Sequence, residues 1–143
     1  MRRKIRVADS DTPLWRGEPL AGKHIQIVGE QGIGEQIIFS TMIPDLIRDG
    51  AIVTFEVEQR LAPLYARSCP NMTVVPLTVP PHPLIENTKF DYKTAVGSIG
   101  RWYRTSVDSF HPERKILSAD PALQAECRAR YGEFVIEAIS QIK

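Results

Sequence analysis

Apolar and polar positions alternate along the chain in short runs and helically spaced sets. Ile25, Ile27 and Val28 form a buried-strand run, and a turn carrying Gly29, Gly32 and Gly34 follows. Ile37, Ile38, Phe39, Met42, Ile43, Leu46 and Ile47 then recur at helical spacing, with Gly50 where a helix commonly closes. The pattern predicts a strand, a glycine turn and one helix between residues 24 and 50. Residues 51–57 are rich in β-branched side chains and predict a second strand, reached by a right-handed crossover to a parallel neighbour. Residues 58–67 predict a short helix, with Pro63 tolerated near its first turn. Residues 72–75 predict a third strand, 76–83 a proline-rich exposed loop, 90–96 a fourth strand and 101–106 a weak helix. Ser118 or Asp120 caps a last helical region opening at Pro121, which Gly132 interrupts before a further amphipathic helix over 134–142. The β-α-β-α-β order predicts an α/β fold: a single Rossmann-like, three-layer domain with a mostly parallel sheet over residues 13–143, preceded by a flexible arm over 1–12.

Composition narrows the function classes. A chain of 143 residues is about one domain, large enough for a core without metal or disulfide staples. A net charge of +1 lacks the electrostatic footprint of a nucleic-acid binder. The opening MRRKIR is basic, but no apolar segment of signal-peptide length follows it. No apolar run approaches the roughly 20 residues that a membrane-spanning helix needs. Cys69 and Cys127 match no metal or redox spacing and read as reduced thiols of a cytoplasmic protein. Three histidines without clustered acidic partners point to no metal site, and His24 reads as structural. Trp15, between prolines and a glycine, reads as a ring that anchors an irregular segment to the domain.

The glycine turn is where a parallel α/β fold places ligands. Its spacing, Gly29-x-x-Gly32-x-Gly34-Glu35, is neither the dinucleotide-binding pattern nor a phosphate loop, because no Gly-Lys-Ser/Thr follows. Glu35 then has two readings. One is an acid favoured by the dipole and free amides of a helix N-terminus. The other is a general base projecting into a cleft above the strand ends. Glu30 and Gln31 lie in the same turn, where amides freed by the glycines could hold a phosphate or a sugar hydroxyl.

The stretch Trp15-Arg16-Gly17-Glu18-Pro19-Leu20-Ala21-Gly22-Lys23, followed by Gly29-Glu30-Gln31-Gly32-Ile33-Gly34-Glu35-Gln36-Ile37-Ile38-Phe39, resembles bacterial tetratricopeptide-repeat glycosyltransferase-like proteins. These are similar to heptosyltransferases and, more distantly, to protein O-GlcNAc transferases. The resemblance implies the N-terminal, acceptor-side half of a GT-B fold and a metal-independent, inverting transfer. It places Glu35 where the family carries an aspartate base, with one methylene more, and gives Gln31, Gly32 and Gly34 to the acceptor pocket. The nucleotide-sugar donor would bind a C-terminal domain absent from this chain, so no cofactor is expected on the chain itself. The expectation is an acceptor half inactive alone, as a truncated gene, a fragment or a repurposed domain, with a donor-domain chain as partner. The alternative is a non-catalytic binding or oligomerisation module, forming a homodimer through the helix over 134–142.

Overall fold

A computed structural model describes residues 11–30, 32–110 and 116–141, with side chains as far as Gly132. Four strands form an all-parallel sheet: β1 (His24–Val28), β2 (Ile52–Val57), β3 (Thr73–Pro76) and β4 (Tyr92–Ala95). Their spatial order is β3-β2-β1-β4, with β1 paired to both β2 and β4. This is the single Rossmann-like α/β domain that the alternation of elements predicts. The other elements are α1 (Ile33–Ser40), α2 (Ile43–Arg48), α3 (Ala62–Ser68), α4 (Pro83–Asn87), α5 (Gly100–Tyr103) and α6 (Pro121–Gln141), with 3-10 turns at Val96–Ile99 and Val107–Ser109.

Strand periodicity divides the sheet into unlike faces. The register puts Ile25 and Ile27 beside Val53 and Phe55 on one face. That face is the core: Met42, Ile43 and Leu46 from the α1–α2 unit, Leu61 and Tyr65 from α3, and Val96 and Ile99 join it. Phe55 and Tyr65 meet edge to face at 5.2 Å, and Ser40 Oγ and Tyr65 OH share a 2.6 Å hydrogen bond that ties α1 to α3. The opposite face carries His24, Gln26, Thr54, Glu56 and Lys93 in register, the last four of them buried. The crossover from β3 to β4 runs on this side, with Phe90 edge-on to His24 at 4.8 Å and His82 within electrostatic reach of Glu56.

Several sequence expectations change in detail. The single helix predicted up to Gly50 is two helices, broken at Thr41 and Met42. Pro44 supplies no backbone N–H and belongs in a first turn, which is where α2 places it. Gly50 does close that unit, at φ +88°, donating its N–H to the Ile47 carbonyl. The proline-rich stretch is not all loop: β3 reaches Pro76, and α4 begins at Pro83, where His82 Nδ1 accepts from the Leu84 amide at 3.2 Å. The weak helix expected over 101–106 starts earlier, as a 3-10 turn running into α5. Asp120, not Ser118, caps α6: its Oδ1 accepts from the Ala122 and Leu123 amides at 2.9 and 3.3 Å. Gly132 does not interrupt α6, which continues through it to Gln141. The apolar face expected over 134–142 and the arm over 1–10 lie outside the described side chains and residues. No helix among the described residues is long and apolar enough to cross a membrane.

Candidate functional site

The glycine turn stands at the C-terminal edge of the sheet. Past the end of β1, the Gly29 amide donates to the Glu56 carbonyl at 2.6 Å, so the turn leaves the sheet still bonded to β2. A Cβ at Gly29 would meet Gln36 Oε1 at 2.7 Å and the Glu56 carbonyl oxygen at 2.9 Å, so the position has no room for a side chain. Gln36 is buried, and its Oε1 accepts from the Glu58 amide at 2.9 Å. One side chain thus pins the first turn of α1 to the residue after β2.

Gly32 is the N-cap of α1 in extended conformation, and its carbonyl accepts from the Gln36 amide at 3.2 Å. Glu35 is exposed in the first turn, and its carboxylate folds back over Gly32: a Cβ there would lie 2.7 Å from Glu35 Oε2. Among the described residues Glu35 has neither a hydrogen bond nor an ion pair. Its placement suits the favourable interaction of an acid with the positive end of a helix. Gly34 is exposed and has nothing within 4 Å of a built Cβ. Gln31 lies outside the described residues. The structure therefore brings Gly32 and Glu35 together and leaves Gly34 apart from them.

Two carboxylates near this edge carry no role in the sequence reading. Glu30 reaches the loop after β4, where a Cβ on Gly97 would be 2.9 Å from its Oε1. In a β3-β2-β1-β4 sheet the gap between the ends of β1 and β4 is the topological switch point. Glu56 is buried on the polar face and accepts from Gln26 Nε2 at 3.0 Å. Burial pushes its carboxyl above the ordinary value, against the opposing effects of the Gln26 hydrogen bond and the His82 charge. Its position two residues before Glu58 in a β-branched run was the available signal, since period-2 alternation puts Thr54 and Glu56 on one face.

A second concave site lies towards the opposite end of the sheet, where α2 ends and the chain enters β2. It is an open-mouthed cavity of about 450 Å³ between residues 15–21 and α5. Trp15, Trp102 and Tyr103 supply its rings. Trp15 is edge-on to Trp102 and stacked on Tyr103, each with ring centroids 6.1 Å apart. The Trp15 indole N–H donates to the Glu18 carbonyl at 2.9 Å, which fixes the ring against its own loop. Gly17, at φ +98°, lies against Trp102, where a Cβ would stand 2.7 Å from the ring. Glu18 and Asp49 add carboxylates. Glu18 Oε2 accepts from the Arg16 amide at 2.6 Å, which holds its pKa below the ordinary value. Asp49 Oδ2 accepts from Tyr103 OH at 2.6 Å. Burial, followed by the bond to Asp49, drives the Tyr103 hydroxyl well above its ordinary pKa, so it remains a donor. The anchoring role expected of Trp15 is borne out by its burial, but its membership in a cavity with Trp102 was not visible across the intervening sequence. Among the described residues no group of three or more His, Cys, Asp or Glu side chains is placed to hold a metal ion.

The chain is 33% identical over 129 residues to Protein FlbA of Caulobacter vibrioides, a match covering 81% of this chain and 22% of FlbA. The chain thus spans less than a quarter of the length of that relative. No family model matches the chain. No solved structure matches it. These findings overturn the resemblance to tetratricopeptide-repeat glycosyltransferase-like proteins: the relationship found is a partial one to FlbA, and nothing connects the chain to that family.

Proposed function

We propose that this domain is a binding module whose ligand enters the aromatic cavity rather than the glycine turn. The observation that supports this reading is the convergence of Trp15, Trp102 and Tyr103 with two carboxylates on one cavity of about 450 Å³. Clefts of a few hundred Å³ with aromatic walls and a few placed polar groups are a common form of ligand site, and in this open one Trp102 and Tyr103 present the accessible rings while Trp15 backs them from within. At the turn, Gln36 and Gly29 serve closure between α1 and β2, and the Glu35 carboxylate lies over its own helix end. The free cysteines, Cys69 half-buried and Cys127 exposed, suit a reducing, cytoplasmic setting.

The test is a small-molecule screen of the full chain read by amide and indole NMR shifts. Ligands should move the indole N–H signals of Trp15 and Trp102 and leave Gly29 to Gln36 unmoved. Hits confined to Gly29 to Gln36 would overturn the reading.

A second reading rests on Glu35 alone. An exposed carboxylate at the C-terminal edge of a parallel sheet, unpaired among the described residues, has the position of a base for an acceptor hydroxyl in glycosyl transfer, with the nucleotide-sugar donor held by another domain. Glu35→Gln would then abolish turnover in an assembly supplying that domain, while lowering the stability of the chain by no more than the roughly 0.3–1 kcal/mol of a lost charge at a helix N-terminus. Undiminished turnover would sink it.

A further inference from the structure

We infer that the aromatic cavity takes an organic cation, as the arginine or lysine side chain of a partner polypeptide presents it. The inference rests on the binding-module reading and supplies the chemistry of its ligand. Three features of the cavity select for positive charge.

The first is its rings. Aromatic faces carry negative electrostatic potential and attract guanidinium and ammonium groups within about 6 Å. Trp102 is 42% exposed, and the guanidinium of its chain neighbour Arg101, which does not line the cavity, stands 5.5 Å from its ring centre. The second is its carboxylates. Glu18 accepts from the Arg16 amide at 2.6 Å, which holds its carboxyl below the ordinary pKa, and Asp49 accepts from the Tyr103 hydroxyl at 2.6 Å. Both repel an anion. Neighbouring cations offset part of this charge: Arg48 pairs with Asp49 at 3.7 Å as well as with Asp45 at 2.9 Å, and the Arg16 charge acts on Glu18, whereas Arg104 is committed to Asp45 at 2.8 Å. The third is preorganisation. The Trp15 indole, the Glu18 carboxylate and the Tyr103 hydroxyl each have a fixed partner, and Gly17 seats its backbone directly against Trp102. A site already ordered loses less freedom on binding.

Trp15 and Trp102 are the two tryptophans of the chain, so intrinsic emission reports on this cavity. The experiment titrates the full chain with N-acetyl-arginine amide, its neutral isostere N-acetyl-citrulline amide and the anionic N-acetyl-glutamate amide. The arginine compound should change the emission saturably and bind about tenfold more tightly than the citrulline compound, with the glutamate compound silent. Glu18→Gln should weaken the arginine compound several-fold while leaving near-ultraviolet circular dichroism intact. Trp102→Leu, at a half-exposed position, should do the same, read through indole shifts of Trp15. Citrulline binding as tight as arginine binding, or an unaffected Glu18→Gln variant, would overturn the selection for charge and leave the binding module standing. Silence from all three compounds would also overturn it, and the ligand screen would then decide separately whether the cavity binds anything.

Discussion

At the scale of single residues, the three glycines of the turn are not equivalent. Gly29 is sterically required, because Gln36 Oε1 and the Glu56 carbonyl occupy the space of a side chain. Gly34 meets nothing and sits inside α1, where glycine lowers helix stability. Gly29→Ala should therefore destabilise the fold by about 1–3 kcal/mol. Gly34→Ala should stabilise it by about 0.4–1 kcal/mol. Urea unfolding of the two variants checks both signs, and equal effects would refute the distinction. Sequence spacing could not separate the two, since the atoms excluding a Cβ at Gly29 come from the next helix and a neighbouring strand. Gln36 carried no signal either, since a glutamine outside the apolar stripe from Ile37 to Ile47 does not read as buried. Replacing it with Leu strands the Glu58 amide and should cost about 1–3 kcal/mol by the same measurement.

At the scale of elements, the succession of strands and helices was readable because it depends on local periodicity, whereas the pairing of β4 with β1 was not, because it is set by the crossover back across the sheet. The break between α1 and α2 was also written in the chain, at Pro44, but the apolar spacing from Ile37 to Ile47 runs across it undisturbed. Period-2 alternation sets Thr54 and Glu56 on one face but does not tell that this face is buried across strands, where Glu56 meets Gln26. Burial raises the Glu56 carboxyl above its unfolded value. A raised acid contributes stability that is fully present below the unfolded pKa and is lost as pH rises through the folded one. Glu56→Gln keeps an acceptor for Gln26 and removes that loss. The variant should be more stable than the parent at pH 7, and the gain should fade as pH drops towards about 4. Urea midpoints between pH 4 and 8 would show it. A gain that grew on acidification would contradict burial as the dominant cause.

At the scale of the whole molecule, Trp15 fastens the segment before β1 to the sheet and to α5. The Trp15 amide donates to the Lys93 carbonyl, and the Lys93 amide to the Pro13 carbonyl, both at 2.9 Å, so residues 13–15 cover the β4 edge. Trp15→Ala should cost about 3–5 kcal/mol and loosen that edge. Alpha-helix α6 is the contrary case. All ten residues from Pro121 to Arg130 are exposed. Its described tethers are at its start, where Arg67 reaches the Ser118 carbonyl at 3.0 Å and the Asp120 carboxylate at 3.7 Å. A helix without a packed face is marginal in water, since most helical stability in proteins comes from tertiary burial. Two measurements follow from this. Amide exchange in Leu123 to Arg130 should be fast compared with that in β1 and β2, which contain the most deeply buried strand residues. A chain ending at Asp120 should keep its unfolding free energy in urea to within about 1 kcal/mol of the parent, because the core residues described all precede α6. A larger loss, or slow exchange in the first half of α6, would mean that the helix is covered in solution, and the comparison would then be repeated across protein concentration to separate burial on its own domain from burial against a second copy.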